Sequence, residues 1–245
     1  MPSLVICPVS LNPGKDWDDL IASYWASWLS PLQAVGELTF AHLGAGTLAE
    51  KQARAAVSQH LLQEAQSNPH DTVWMKCIDL ASGRIVAGGM YKIHDSGPNP
   101  YEETAAPKAE WFPPESERRI LAEELYRQLW GWRARLMGDK FVCGMALWVL
   151  PAYRSYGAAR LLLEHFVERI DQLGMEAYLE GTEIALPLYR QCGFRVVSDV
   201  TIDVEPPQGK EPSSDWTRLV SDIQAHPVKI MIRPMSQKRA VDSKL

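Results

Sequence analysis

The residues of this chain whose types and order suit a chemical task lie in the stretch Phe141–Phe166. An apolar strand, Phe141–Val149, is ended by Pro151, and a short turn leads into a leucine-rich helix. The first amides of a helix have no partner within it, and the helix dipole adds partial positive charge. The small residues Gly157–Ala159 leave these amides open, which predicts a pyrophosphate cradle. A turn that uses small residues only for packing has the same pattern, so both interpretations stay open.

Other chemistries lack their motifs. The chain has no GxxxxGK followed by Ser or Thr, and no GxGxxG after a strand, so neither nucleotide hydrolysis nor dinucleotide binding is predicted. The cysteines are far apart, and no CxxC pair or His/Cys cluster has metal-ligand spacing. We therefore predict no metal site, and free thiols at Cys7, Cys77, Cys143 and Cys192.

Two segments resemble the motifs of one enzyme family. Within residues 141–166, LWVLPAYRSYGAARLLL resembles motif A of the GNAT superfamily of acyl-CoA N-acyltransferases. The loop of that motif is R/Q-x-x-G-x-G/A, and its defined positions are matched by Arg154, Gly157 and Ala159. Within residues 182–194, LPLYRQCGF resembles motif B, in which Leu-Tyr precedes Gly-Phe. Over roughly residues 70–203 the chain is also similar to a fungal GNAT-like group.

The resemblance implies a site for acyl-CoA, most simply acetyl-CoA. It implies that loop amides hold the pyrophosphate and that strand backbone bonds the pantetheine arm. A central strand can offer such groups only where its neighbour splays away, and the same splay gives the thioester carbonyl a backbone donor. The residues implied for this site are Leu147, Trp148, Val149, Arg154, Ser155, Tyr156, Gly157, Ala158, Ala159 and Arg160.

The resemblance also implies catalytic roles. Tyr189 matches the motif-B tyrosine that often protonates the departing CoA thiolate. A phenol has a pKa of about 10 and a thiol about 8.5, so proton transfer is feasible and a hydrogen bond alone would help. The alternative is a tyrosine that only packs on the pantetheine. Glu180, at the end of a strand, is the first candidate for the general base, unless it points outward or caps a helix. His94 is the second candidate, and a water chain the third.

The sequence departs from the family pattern at Trp148, Met145 and Thr182. The fungal relatives usually have a small residue and a polar residue at the first two positions, and many members have asparagine at the third. CoA binding by the main chain is unaffected by these changes. The acceptor pocket and the length of the acyl chain are therefore left open.

The composition of the chain limits the classes of partner that it is expected to bind. The chain has 245 residues, 46% of them hydrophobic, and a net charge of −5. These values are typical of a globular protein that binds neither nucleic acid nor anionic membrane. No apolar run approaches the roughly 20 residues that cross a bilayer.

The elements predict an α/β fold of the α+β type, a single GNAT domain at residues 1–234. We expect a central mixed, mostly antiparallel sheet of about seven strands, with a splayed parallel pair and helices on both faces. Asp79–Gly83 is predicted to join two strands as a hairpin. Residues 95–114 are predicted to form a surface loop, residues 205–225 a polar insertion and residues 235–245 a polar tail.

We therefore expect an enzyme that moves an acyl group, most simply acetyl, from acyl-CoA to an amine of a small molecule by direct transfer. The alternatives are a non-catalytic CoA-binding regulatory module and an acyltransferase that acts on a protein or a hydroxyl. The last residues, Ser243-Lys244-Leu245, match the SKL address read by the peroxisomal import receptor. Their presence predicts a protein of the peroxisome matrix.

Overall fold

The computed structural model describes residues 2–206 and 211–235. The strands are β1 (Leu4–Pro8), β2 (Thr72–Asp79), β3 (Arg84–His94), β4 (Phe141–Val149), β5 (Glu176–Gly181), β6 (Arg195–Val200) and β7 (Val228–Arg233). The helices are α1 (Lys15–Ser27), α2 (Ala34–Thr39), α3 (Leu48–Ser67), α4 (Pro100–Glu103), α5 (Glu117–Leu136), α6 (Ala158–Leu173), α7 (Leu186–Gln191) and α8 (Ser214–Ala225). The predicted address at residues 243–245 lies outside the described residues.

The strands form one open sheet in the order β1-β2-β3-β4-β5-β7-β6. Within the described residues β4 and β5 are the one parallel pair, and every other pair of neighbours is antiparallel. The predicted hairpin joins β2 to β3, and Gly83 adopts the positive φ of 67° that its turn requires. The predicted mixed sheet with a parallel pair is confirmed.

Helices cover both faces of the sheet, as predicted. On one face α6 and α7 pack against strand residues such as Tyr91, Val142 and Leu179. On the other face α1 packs against Trp74 and Met90, while α5 and α8 pack against other strand residues. Because successive strand residues point to opposite faces, each strand between two helical layers contributes to both cores.

Residues 205–225, which the sequence predicts to be a polar insertion, include a helix. This helix, α8, buries one stripe of side chains in the core beside α5: Trp216, Leu219 and Ile223. Their spacing is that of a helical face. The surrounding Ser, Asp, Thr and Arg residues hid this stripe, because they make the segment polar on average.

The segment at residues 95–114 is more firmly packed than the predicted surface loop. It contains α4, and Asn99, Ala109 and Phe112 are buried. Asn99 Nδ2 donates to the carbonyl oxygens of Arg133 at 3.1 Å and of Met137 at 2.8 Å. Because unpaired carbonyls at a helix end need donors, Asn99 fixes the end of α5.

Three further features bear on function. No helix within the described ranges is long and apolar enough to cross a membrane. No cluster of three His, Cys, Asp or Glu side chains in this part of the chain could hold a metal ion. The cysteines are free thiols; Cys77 and Cys143 are buried, and Cys7 and Cys192 are half-buried.

Candidate active site

The central feature is a cleft where β4 and β5 separate. Their parallel pairing runs from Phe141 opposite Glu176 to Gly144 opposite Leu179 and stops there. Beyond this point β4 remains paired with β3, and β5 with β7. At the same place β4 has a bulge at Met145, between residues paired to β3. A bulge bends its strand, so this bulge widens the gap between β4 and β5 at the point where the gap begins.

The open edge of β4 offers backbone groups to this cleft. The Leu150 amide donates to the Val86 carbonyl at 2.8 Å, so it points toward β3. Hydrogen-bonding direction alternates along a strand, so the backbone groups of Trp148 also point toward β3. Those of Leu147 and Val149 point to the open side. Three strand residues were implied for the pantetheine arm. The backbone N–H and C=O groups of Leu147 and Val149 are thus free to bind it, whereas those of Trp148 point toward β3.

The walls of the cleft are almost entirely apolar. Its empty space, open mouth included, is about 490 Å³. Glu180 is the one charged residue that lines it within the described part of the chain. The other lining residues are Met75, Gly89, Met90, Tyr91, Gly144, Met145, Ala146, Leu147, Leu162, Leu163, Phe166, Leu179 and Tyr189.

The turn after β4 has the form predicted for a phosphate cradle. Ser155 and Gly157 adopt positive φ angles of 69° and 91°. Gly157 is the N-cap of α6, and its carbonyl accepts the Leu161 amide at 3.0 Å, so the amides of residues 158–160 precede the first intrahelical bond. A Cβ added to Gly157 would meet no atom within 4 Å. The amides of residues 158–160 are therefore accessible to an anion, because Gly157 has no side chain that could cover them.

Arg154 supports this turn from the side. Its guanidinium donates from Nη2 to the Ser27 carbonyl at 3.0 Å and from Nη1 to the Ser30 carbonyl, beyond the end of α1. Burial lowers the pKa of this guanidinium. Arg160, at the other end of the turn, donates to Gln191 Oε1 at 2.8 Å, and Tyr156 is exposed. Arg154 thus ties the turn to α1 and to the segment that follows it.

Tyr189 lies on α7 and reaches the cleft from the α6 side. A Cβ added to Gly181 would lie 2.8 Å from Tyr189 Cε2, so glycine is needed where the ring packs on β5. Burial raises the pKa of Tyr189 to about 12, and no hydrogen bond within the described residues acts on its hydroxyl. The hydroxyl therefore stays protonated at neutral pH and is available as a donor.

Glu180 enters the cleft from the opposite face of β5. Arg133 Nε donates to Glu180 Oε1 at 2.7 Å, and Arg133 Nη2 donates to Oε2 at 2.6 Å. The Tyr178 hydroxyl donates to Oε1 at 3.0 Å. Glu180 therefore neither points outward nor caps a helix, the two alternatives considered from the sequence.

Arg133 is a site residue that the sequence analysis missed. In the sequence, apolar residues at positions 121, 125, 129, 132 and 136 trace one helical face, which leaves Arg133 out. In the structure Leu121, Leu125, Leu129 and Arg133 are buried on one face of α5. Arg133 lies four positions after Leu129 and so continues the buried stripe. A charged residue at such a position indicates a buried ion pair, and this signal was present in the sequence.

Of the other residues singled out from the sequence, His94 and the Trp148 side chain lie away from the cleft. The Trp148 side chain points to the α1 face, where Nε1 donates to Ser23 Oγ at 2.9 Å and the ring packs 4.6 Å from that of Tyr24. The His94 ring stacks on Phe141 at 5.0 Å. This is the end of β4 where pairing with β5 is intact, so His94 does not line the cleft. Met145 does line it, and Thr182 follows β5 in a half-buried position.

Comparison with known proteins agrees with this geometry. The model of the acetyltransferase (GNAT) family matches residues 44–194, more than half of the chain. The chain therefore belongs to the GNAT acetyltransferase family. No curated protein sequence matches it.

Solved structures share the fold at low identity. The polyamine N-acetyltransferase of Drosophila melanogaster aligns with 95% of this chain and 100% of its own, at 15% identity and a TM-score of 0.58. The histone acetyltransferase HPA2 and related acetyltransferase of Corynebacterium glutamicum aligns over 98% and 99%, at 15% identity and a TM-score of 0.55. A mosquito arylalkylamine N-acetyltransferase-like protein aligns over 95% and 100%, at 16% identity and a TM-score of 0.52. These likenesses show the fold alone.

Proposed function

We propose that this protein transfers an acyl group, most simply acetyl, from acyl-CoA to an amine of a small molecule. The observation that carries the proposal is the opening between β4 and β5. It combines a free strand edge, an apolar cleft and an anion cradle at the start of α6. An acyl-CoA has a pantetheine arm with amide groups, a thioester and a pyrophosphate, which match the strand edge, the cleft and the cradle respectively.

In this proposal the amides at the turn from Ser155 to Arg160 bind the pyrophosphate. The backbone groups of Leu147 and Val149 bind the pantetheine arm as an added strand would. The thioester carbonyl then lies near main-chain donors in a cleft with little water. Donors fixed in such a site stabilise the negative charge that develops on the carbonyl oxygen when the amine attacks.

Tyr189 and Glu180 approach the thioester from opposite faces of the sheet. The protonated Tyr189 hydroxyl donates to the sulfur as the carbon–sulfur bond breaks. Because burial raises the pKa of Tyr189 to about 12, full proton transfer to a thiolate with a pKa of about 8.5 is unfavourable, and the hydrogen bond itself provides the stabilisation. Glu180 receives the proton of the amine nitrogen, which becomes strongly acidic once the nitrogen has bonded to carbon.

The test has two stages. Calorimetric titration with CoA measures binding, and a thiol-release assay with acetyl-CoA and a panel of amines measures turnover. We expect both binding and turnover. CoA binding without turnover would indicate the regulatory module instead, and absence of binding would refute the proposal. Adding alcohols and peptides to the panel tests transfer to a hydroxyl or to a protein.

We also propose, from sequence resemblance, that the protein is related to the fungal GNAT-like group and is imported into peroxisomes through Ser243-Lys244-Leu245. β-Oxidation in that organelle would supply the acyl-CoA donor. An N-terminal fluorescent fusion, with and without these three residues, tests the import. A diffuse cytosolic signal from the full-length fusion would contradict it.

A further inference from the structure

The donors within residues 2–206 and 211–235 leave the Glu180 carboxylate able to accept one more hydrogen bond. Arg133 Nε and the Tyr178 hydroxyl both donate to Oε1, at 2.7 and 3.0 Å. Arg133 Nη2 is the described donor to Oε2, at 2.6 Å. Since each carboxylate oxygen accepts about two hydrogen bonds, Oε1 is filled and Oε2 can accept one more. Glu180 lines the cleft, so one donor entering the cleft can complete the set.

Arg133 holds this carboxylate rigidly. Its side chain is only 5% exposed, and its guanidinium lies 4.5 Å from the centre of the Trp130 ring and 5.2 Å from that of Tyr101. Burial opposes the charge, but the Glu180 carboxylate raises the pKa of Arg133 well above its usual value. A buried ion pair is a weak source of stability, because desolvation offsets most of the attraction. Its clearest effect here is to fix the direction of Glu180.

Among the described residues, the titratable groups that act directly on the pair carry no second charge; Lys92, which acts on Cys143, is itself paired with Glu64. The other titratable groups close to the pair are Tyr101, Tyr126, Tyr178 and Cys143, and burial raises the pKa of each, so they are neutral near pH 7. Apart from the tyrosines Tyr91 and Tyr189, the other described side chains that line the cleft are apolar. A bound molecule therefore meets one carboxylate, already paired with a guanidinium, and apolar walls. A second charge on that molecule would be buried without a partner.

We propose that Arg133 positions Glu180 to accept one hydrogen bond from the attacking amine, and that the acceptor is a monoamine with an apolar body. This inference rests on the acyl transfer proposed above. The ammonium group first gives one proton to solvent. The neutral amine nitrogen then bonds to the thioester carbon, the carbon–sulfur bond breaks, and one of the remaining N–H protons passes to Glu180 Oε2. Solvent then takes that proton, and the CoA sulfur leaves as the thiolate hydrogen-bonded to Tyr189 or, after protonation by solvent, as the thiol.

Three amines of equal chain length test the acceptor class. Hexylamine carries one charge, 1,6-diaminohexane carries two, and 6-aminohexanoate adds a carboxylate. With acetyl-CoA we expect kcat/KM for hexylamine to exceed the other two by about tenfold or more, because each of them buries an unpaired charge. Equal values, a preference for either of the doubly charged amines, or no acetylation of any of the three would overturn the proposal.

Two variants test the positioning. Arg133→Met should lower kcat with hexylamine about tenfold to a hundredfold, and Arg133→Lys should recover part of it, since lysine restores the charge but not the two-bond fork. Calorimetric CoA affinity should be unchanged in both. If Arg133→Met does not fold, Arg133→Lys and Glu180→Gln carry the test. Wild-type kcat in Arg133→Lys would refute the positioning role.

Arg218→Lys is the matched control. Arg218 makes the same two-bond contact with the buried Glu37, at 2.8 and 2.9 Å, and neither residue lines the cleft. Its kcat and its preference among the three amines should equal those of the wild type. The CoA titration separates the two proposals. If wild-type protein does not bind CoA, the acyl transfer itself fails; if CoA binds and another amine is preferred, only the present inference fails.

Discussion

Substitution of Gly157 by aspartate or asparagine separates the charge of the cradle from its shape. Gly157 has a φ of 91°, and a Cβ there would meet nothing within 4 Å. Either side chain therefore costs about 1–2 kcal/mol of backbone strain without a clash, and the fold should survive. The two side chains are nearly the same size, so their difference in CoA affinity reports the added negative charge.

The expected difference follows from Coulomb's law. A carboxylate about 4 Å from one phosphate charge is repelled by about 1 kcal/mol in water and about 4 kcal/mol at an effective dielectric constant of 20. Since 1.4 kcal/mol is tenfold in affinity, Gly157→Asp should bind CoA about fivefold to a thousandfold more weakly than Gly157→Asn. The gap should narrow in 1 M salt, where the screening length falls to about 3 Å.

Calorimetric titration with CoA at low and high salt is the assay. The control is Gly174→Asp, because Gly174 caps the other end of α6 with a φ of 64° and equally open space. It should lose stability to a similar extent and bind CoA normally. Equal CoA affinity for the two Gly157 variants, at any salt concentration, would show that the pyrophosphate does not bind at this turn.

Four further outcomes are expected. Tyr189→Phe should lower kcat about tenfold to a thousandfold with little change in the KM for acetyl-CoA, measured by thiol release; a wild-type kcat would exclude a role for the hydroxyl. Gly88→Ala should destabilise the protein by about 1–3 kcal/mol in urea unfolding, because the new Cβ would lie 2.2 Å from the Trp148 ring. Trp148→Leu in the same chain should restore part of that loss. Glu37→Gln should cost about 1 kcal/mol or less in the same assay without changing CoA affinity, since its partners Arg218 and Arg118 are 48% and 31% exposed and partly screened by water. Removal of the last three residues, Ser243–Leu245, should turn a punctate peroxisomal signal into a diffuse one.

The parts of the site that the sequence could predict are those formed by neighbouring residues. The turn from Arg154 to Ala159 is built from local backbone preferences, and the run of small residues before a helix is visible in the sequence. Tyr189 was found through its motif, and the structure places it in the cleft. The unbroken apolar character of residues 141–149 correctly indicated a central strand.

The parts that the sequence could not predict depend on contacts between distant segments. Arg133 and Glu180 are 47 residues apart, and neither position shows its partner. The end of the β4–β5 pairing and the bulge at Met145 are also invisible locally, because they depend on three strands at once. If the bulge is not known, strict alternation along β4 assigns the residues beyond it to the wrong face of the sheet. The faces of Met145 and Trp148 could therefore not be assigned from the sequence alone.

The bulge also explains how two kinds of molecule can meet in one cleft. Met145 and Ala146 both point to the face that carries Glu180, while Leu147 points toward α6 and the side that carries Tyr189. Because the two strands have separated at this level, the cleft reaches residues of both faces. A thioester held along β4 would then be open to a nucleophile from the Glu180 face while its sulfur faces the Tyr189 hydroxyl. The direct transfer proposed here therefore needs no covalent intermediate on the protein, since the gap in the sheet gives an amine from the Glu180 face access to a thioester held along β4.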